Sequence, residues 1–212
     1  MPNAIDLTAY IAGFAASPLA RWGGLAPWEI TARAAEIVRE LLAALPAGEF
    51  AVEGEVAVHR SATVEAGAVL KGPLIVGPGC FLAAGAYVRG GNWVGERCTL
   101  GPGSELKSSF VFAGTALAHF NFVGDSMLGA GVNLEAGSIV CNHRNERAAK
   151  QIFVRGGEGG ALQATGSEKF GALAGDGVRI GANAVIAPGA LLRPGLVIAR
   201  ASLLDQELPD PQ

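Results

Sequence analysis

An aliphatic residue returns at every sixth position from Val52: Val52, Val58, Val64, Leu70, Val76, Leu82, Val88, Val94, Leu100 and Leu106, with Phe112 and Ala118 continuing the register. A period of six is neither the 3.6 of an α-helix nor the 2 of a strand. It is the hexapeptide repeat of a parallel β-helix. Each hexapeptide supplies one short strand and one corner, and three close a triangular coil. Residues eighteen apart then stack on neighbouring coils, roughly 4.8 Å from one another. Mostly small residues (Ala62, Ala68, Cys80, Ala86, Cys98, Ser104) stand four places after a repeat position and fit where the coil turns. The composition agrees: 31 glycines and only 7% aromatic residues suit short strands with tight corners and do not suit a helical bundle.

After Ala118 the register slips, to resume at Phe122, Leu128, Leu134 and Val140, and His119 lies in the slip. Departures of this kind in a solenoid map to its binding face. Residues 143–172 leave the pattern and read as an inserted, protruding loop, with a hairpin expected within Gln151–Gln163. The repeat returns at Ala174, Ile180, Ile186, Leu192 and Ile198. The acidic, proline-bearing tail 203–212 is expected to fray. Residues 1–50 are alanine-rich and helical in pattern. Pro27 opens a helix carrying Ile30, Ala34, Ile37, Val38, Leu41 and Leu42 on one stripe, Pro46–Gly48 stops it, and a shorter helix is expected around Ile5–Ala16. This segment is expected to cap an open end of the coil, with a docking or oligomer helix as the alternative. The organisation is thus a helical cap (1–50), a β-helix domain (51–202) with one insertion, and a tail.

The net charge of −3 implies no basic face, so a nucleic-acid partner is not expected. No signal peptide and no membrane-spanning run is read. Three cysteines without metal spacing point to free thiols in a reduced, cytoplasmic setting. Cys80 and Cys98, eighteen apart at small interior positions, read as stacked packing groups, and Cys141 as a small core residue. Of the three histidines, His59 stands several coils from His119, which leaves His59, His119 and His143 a poor zinc set, and no metal is expected. Arg89 and Lys107 each follow a repeat aliphatic and should stack outward on successive coils, with Lys71 one coil earlier. Like charges directly across a ladder repel. A bridging anion such as phosphate would relieve the column; the alternative is a solvated face screened by water and salt.

The stretch LAHFNFVGDSMLGAGVNLEAGSIVCN, followed later by SEKFGALAGDGVRIGANAVIAPG, resembles the acetyltransferase half of the bifunctional enzyme that makes UDP-N-acetylglucosamine. It resembles still more the corresponding half of archaeal sugar-1-phosphate nucleotidylyltransferase/amino-sugar-1-phosphate acetyltransferases. The resemblance covers roughly Val58–Arg200. It implies a left-handed coil, although crossovers between parallel strands are in general right-handed. It also implies a homotrimer with active sites between subunits, and acetyl-CoA-dependent N-acylation of an amino-sugar phosphate or nucleotide sugar. No glycine-rich nucleotide-binding segment precedes the repeat, so uridylyl transfer is not expected.

By this resemblance His119 is the catalytic base, a role suited to an imidazole because it titrates near neutral pH. Read without the motif, it would be a satisfied surface or core histidine. Glu105 matches the acidic residue that orients it. Arg89 and Lys107 match the residues holding the sugar phosphate, and Lys71 has no counterpart. Asn133 and Asn142 match asparagines that hydrogen-bond the acceptor, an amide being both donor and acceptor, although asparagine also suits left-handed corners. Lys169 matches a lysine near the sugar, but stands farther from Asn142 in sequence than in the bacterial enzyme. Phe122 departs from the bacterial pattern, which has a tyrosine there. Losing that hydroxyl weakens recognition of one acceptor group and puts glucosamine 1-phosphate in question as the acceptor. Coenzyme A is expected along Ala174–Ala201, with Ala182 and Arg200 at contacting positions. The alternatives are an acyl-carrier donor, and a non-catalytic trimeric scaffold that binds a sugar nucleotide.

Overall fold

The computed structural model describes residues 5–156 and 160–208. Its body is the parallel β-helix expected from the hexapeptides, of the left-handed class that the resemblance implies: three parallel sheets stacked from seven coils. The first sheet runs from Val56–His59 through Leu74–Val76, Asn92–Val94, Phe110–Val111, Met127–Leu128 and Ala172–Ala174 to Ala190–Leu192. The second runs from Thr63–Val64 to Val197–Ile198 and the third from Val69–Leu70 to Leu203–Leu204. Inward aliphatics such as Leu82, Leu100, Leu117 and Leu134 are fully buried in one continuous column. Deleting one to alanine would cost about 2–5 kcal/mol, because the coils above and below prevent collapse of the hole.

The register differs from the strict six in two ways. Val52 is not a coil residue: Phe50–Glu53 pairs antiparallel with Val56–His59, and Val52 is 62% exposed. The coil therefore begins at Val58. The slip also begins earlier than Ala118. Val94 pairs with Val111, Leu100 with Leu117 and Leu106 with Val123, each seventeen residues on. The inward positions are thus Val111, Leu117 and Val123, whereas Phe112, Ala118 and Phe122 are not.

The missing residue is lost at the corner from the third sheet to the first, between Leu106 and Val111, and again between Val123 and Leu128. Serine makes these short corners possible. The Ser109 hydroxyl donates to the Lys107 carbonyl (2.7 Å) and accepts from the Ser126 amide (3.1 Å). One coil on, Ser126 donates to Gly124 (2.7 Å) and accepts from Ala172 (3.0 Å). Ser108 and Asp125 turn these corners in left-handed backbone, with φ of 48° and 45°.

The N-terminal helices do not cap an end of the coil. Helices α1 (Leu7–Tyr10), α2 (Pro27–Ala32) and α3 (Ala34–Ala43) lie along the flank of the first sheet. Pro27 opens α2, where the Glu29 carboxylate reaches back to the Ala26 amide (2.7 Å). The single helix expected from the sequence breaks at Arg33 (φ −100°, ψ 15°) into α2 and α3. Ile30, Ala34, Ile37, Val38 and Leu41 meet the outward residues Ile75, Phe110, Met127, Leu173 and Leu191 in a second core. That fit explains the run of buried outward apolar residues on this sheet. Asp176 pins the two layers: its carboxylate accepts from the Ala12 and Ala130 amides (2.9 and 2.7 Å), and its own amide donates to Tyr10 (2.9 Å).

The insertion forms the expected hairpin, Phe153–Arg155 against Leu162–Ala164. It does not stand away from the body, because Ile152, Val154 and Phe170 are buried in the same second core. Of the tail expected to fray, residues 203–208 pack on the body and residues 209–212 lie outside the described residues: Leu203–Leu204 closes the third sheet, and the next residues lock the insertion. Arg144, 5% exposed, makes a two-pronged pair with Asp205 (2.6 and 2.8 Å) and reaches Glu207 (3.2 Å), while Arg147 pairs with Glu207 (2.6 Å). Hydrogen bonding from Arg144 holds the Asp205 carboxyl below its ordinary range. A depressed carboxyl contributes stability above its unfolded pKa and loses it as pH falls through the folded one. Asp205→Ala should therefore cost about 3 kcal/mol at neutral pH, by leaving Arg144 buried with its main partner gone. The gap from wild type should narrow in acid; urea unfolding at both pH values measures it.

Candidate active site

His119 occupies the corner between the second and third sheets. The corner is fixed by backbone bonds on both sides: the Phe120 amide donates to Pro102 (3.0 Å) and the His119 carbonyl accepts from Gly137 (2.9 Å). Behind it the Asn121 side chain turns inward, donating to the Glu135 carbonyl (2.8 Å) and the Ser138 hydroxyl (3.0 Å). The imidazole itself faces solvent. Phe120 takes the left-handed position (φ 52°) that Gly103 and Gly137 take on the adjoining coils, and is 69% exposed. A β-carbon on Gly103 would stand 2.5 Å from the Phe120 ring.

The third sheet carries the expected cation column, and the register pairs Arg89 with Lys107 directly. Each cation of the column has a partner inside the chain. Arg89 pairs with Glu105 (2.7 Å), Lys107 with Asp125 (2.6 Å), and the Lys71 ammonium sits 5.0 Å over the Tyr87 ring. Glu105 is thus engaged with Arg89, and among the described residues no hydrogen bond joins it to His119. The column ends at Gly124, paired with Lys107. The Asn142 amide and the para carbon of Phe122 both crowd the space above Gly124, 2.6 and 2.9 Å from where a β-carbon would lie. Asn142 also donates to Asp125. The short, left-handed corner at Asp125 is what brings its carboxylate between the Lys107 ammonium and the Asn142 amide.

Lys169 returns to this cluster despite its distance in sequence. The insertion leaves after Asn142 and comes back beside it: Phe170 donates to the Asn142 carbonyl (3.1 Å), and His143 bonds the Glu168 carbonyl (3.0 Å). The Lys169 side chain is exposed. The third sheet thus gathers Arg89, Glu105, Lys107, Phe122, Asn142 and Lys169.

Asn133, Ala182 and Arg200 stand elsewhere. Asn133 is on the second sheet, between Ala116 and Arg179 in register. With Glu135, Arg179 and Arg200 it lines a groove of about 310 Å³. Arg200 makes a two-pronged pair with Glu135 (both 2.7 Å), which also accepts from the Ala182 amide (2.8 Å). The Arg200 guanidinium, with that amide, holds the Glu135 carboxyl down at about 2. The chain therefore divides the expected residues between two faces, with His119 on the edge they share.

Asp125, Asn121, Glu135 and Arg179 were not singled out from the sequence. Asp125 carried a signal, the Gly-Asp pair ending HFNFVGD, whereas Glu135 and Arg179 offered only outward strand positions. Cys80 and Cys98 are buried packing groups, and burial pushes the Cys141 thiol up, away from the reactive thiolate. Among the described residues no cluster of metal-ligand side chains occurs, and no helix is long and apolar enough to cross a membrane.

Gly103→Ala tests the corner. An alanine at φ +68° costs about 1–2 kcal/mol and must push the Phe120 ring aside. Thermal unfolding should show that loss, while Gly114→Ala, with open space at its β-carbon, should show only the backbone cost.

No family model matches the chain. It is 30% identical over 155 residues to a bifunctional sugar-1-phosphate nucleotidylyltransferase/acetyltransferase of Sulfurisphaera tokodaii, a match covering 70% of this chain and 38% of that protein. It is 28% identical over 109 residues to the bifunctional protein GlmU of Methanococcus vannielii, covering 51% of this chain and 25% of the relative. The chain thus spans well under half the length of the curated relatives it matches. A solved hexapeptide transferase family protein from Anaplasma phagocytophilum superposes with a TM-score of 0.35 at 14% identity, over 70% of this chain and 72% of that one. The chain is a hexapeptide-repeat protein similar to bifunctional sugar-1-phosphate nucleotidylyltransferase/acetyltransferases and GlmU proteins.

Proposed function

We propose that this protein is an acyltransferase that uses acetyl-CoA to N-acetylate an amino-sugar 1-phosphate or a nucleotide-linked amino sugar. Its relatives include named acetyltransferases of sugar-phosphate chemistry. The observation that carries the reading is the position of His119, held by backbone bonds on an edge, with Asn133 on one flanking face and the Lys107–Asp125–Asn142 cluster and Lys169 on the other. A single subunit keeps these two sets on different faces. A homotrimer, with one subunit's second sheet facing its neighbour's third, would close them around one cleft.

In that cleft the neutral imidazole of His119 takes a proton from the acceptor amine as its nitrogen attacks the thioester carbonyl. A C–N bond forms, the C–S bond breaks, and the departing sulfur leaves as the thiol after taking up a proton. Lys107 is held by Asp125, and its remaining donor directions can receive an acceptor phosphate together with Lys169, while Arg89 stays paired with Glu105. Asn142 and Asn133 orient the sugar. Phe122 offers a ring where a tyrosine hydroxyl would have bonded, which favours an acceptor lacking one polar group at that point.

The test is thiol release from acetyl-CoA with a panel of amino-sugar phosphates and UDP-amino sugars. Turnover with one acceptor should fall about 10²–10⁴-fold in His119→Ala, the range expected on losing a general base. Absence of turnover across the panel, with no thermal shift on adding coenzyme A, would sink the reading. Phe122→Tyr should lower KM for glucosamine 1-phosphate more than for the acceptor the wild type prefers.

A further inference from the structure

The residue that the resemblance offers for a phosphate of coenzyme A is Arg200, and its guanidinium is occupied. Both of its outer contacts go to Glu135 at 2.7 Å, and the pair is neutral as a unit. A phosphate approaching Arg200 would have to displace a carboxylate held at about 2, and would meet that carboxylate's charge. The same groove contains another cation. Arg179 projects outward from the second sheet, exposed, with Asn133 beside it on one coil and Val197 on the next.

Among the described residues, Arg179 and Lys169 are the two arginine or lysine side chains with no hydrogen bond, ion pair or ring contact. Lys169 lies on the third-sheet side, beside Asn142. Arg179 is therefore the available positive charge on the second-sheet side. Its groove is walled by Gly181 and Ala199, whose lack of bulk lets a thin chain run against the backbone. Arginine is also the side chain whose flat fork matches phosphate oxygens.

We propose that Arg179, and not Arg200, binds a phosphate group of coenzyme A. This rests on the acyltransferase reading above. The Glu135–Arg200 pair forms the wall beside it, fixing the Ala182 amide and keeping Arg200 from competing for the anion.

Equilibrium binding of coenzyme A and of pantetheine, which lacks the phosphates, to wild type and Arg179→Gln tests this. Arg179 is exposed, so the substitution should leave the fold intact, and an unchanged thermal midpoint checks this. Wild type should bind coenzyme A more tightly than pantetheine. Arg179→Gln should weaken coenzyme A about tenfold or more, the scale of a lost charge-assisted bond, and leave pantetheine unchanged. Arg179→Lys should recover part of the loss, and raised salt should erode the wild-type advantage. Equal coenzyme A affinity in wild type and Arg179→Gln would overturn the inference while leaving the acyltransferase reading intact. A loss seen with the phosphorylated acceptor and not with coenzyme A would overturn it too, assigning Arg179 to the sugar. Wild type that binds no coenzyme A would remove the acyltransferase reading and the inference together.

Discussion

The main-chain ladder between coils decides where every functional side chain can stand. Each strand bonds the strand one turn below and one turn above, so an outward residue has fixed neighbours whatever its own chemistry. Arg89 must lie beside Lys107, and Asn133 beside Arg179. The side chains then adjust to neighbours they did not choose. Changing the length of one corner is the chain's means of moving a residue against this grid. Shortening the turn after Val123 by one residue is what carries Asp125 onto Lys107, and serine hydroxyls complete the hydrogen bonding that the lost residue would have made.

A grid of this kind forces like charges together, and the molecule answers with local carboxylates. Glu105, Asp125 and Glu135 each take one arginine or lysine of the outward faces. These pairs are mostly solvent-facing and add little to stability. Their consequence is positional: a paired guanidinium is held in one orientation and loses much of its appeal to a diffusing anion. Lys107 differs, since it is largely buried against Asp125 and can still offer donors outward. The distinction separates cations that shape the site from those free to receive a ligand. It cannot be made from residue type alone.

The period of six made the architecture legible, because stacked aliphatics admit no other arrangement. It also made the inward set legible for the coils with eighteen-residue spacing, such as Leu82, Val88, Ile186 and Leu192. The reading failed where serine replaced a residue's worth of backbone. Phe112 and Ala118 continue the count numerically, but Val111 and Leu117 fill the core. It failed again for Val52, since a strand that pairs antiparallel can carry the same aliphatic spacing. The packing of residues 1–50 was hidden for a different reason. Their apolar stripe is plain, but its partner is the outward face of one sheet, and a period-six pattern does not distinguish outward apolar residues from inward ones. At the site, the motif around His119 supplied the candidate residues, and the ladder fixed which side chains stand beside them. Glu105 is the clearest case: sequence could place it near His119 but not show that Arg89 holds its carboxylate.

The helices and the insertion cover one of three faces, and that asymmetry bears on assembly. The first sheet buries Ile75, Phe110, Met127, Leu173 and Leu191 under α2, α3 and the hairpin, so it is closed to another subunit. The second and third sheets keep their outward residues accessible, including Phe81 on one and Val69 on the other. A threefold arrangement needs two different faces per subunit, each meeting the other's counterpart, and two are what the covering layer leaves. The edge between those faces is where His119 sits, with the exposed Phe120 beside it in a strained backbone that the subunit alone gives no reason to keep. Covering the first sheet therefore does more than stabilise a coil. In the homotrimer proposed above it would leave for self-association only the two faces that carry the candidate site, and so would tie formation of a complete cleft to formation of the oligomer.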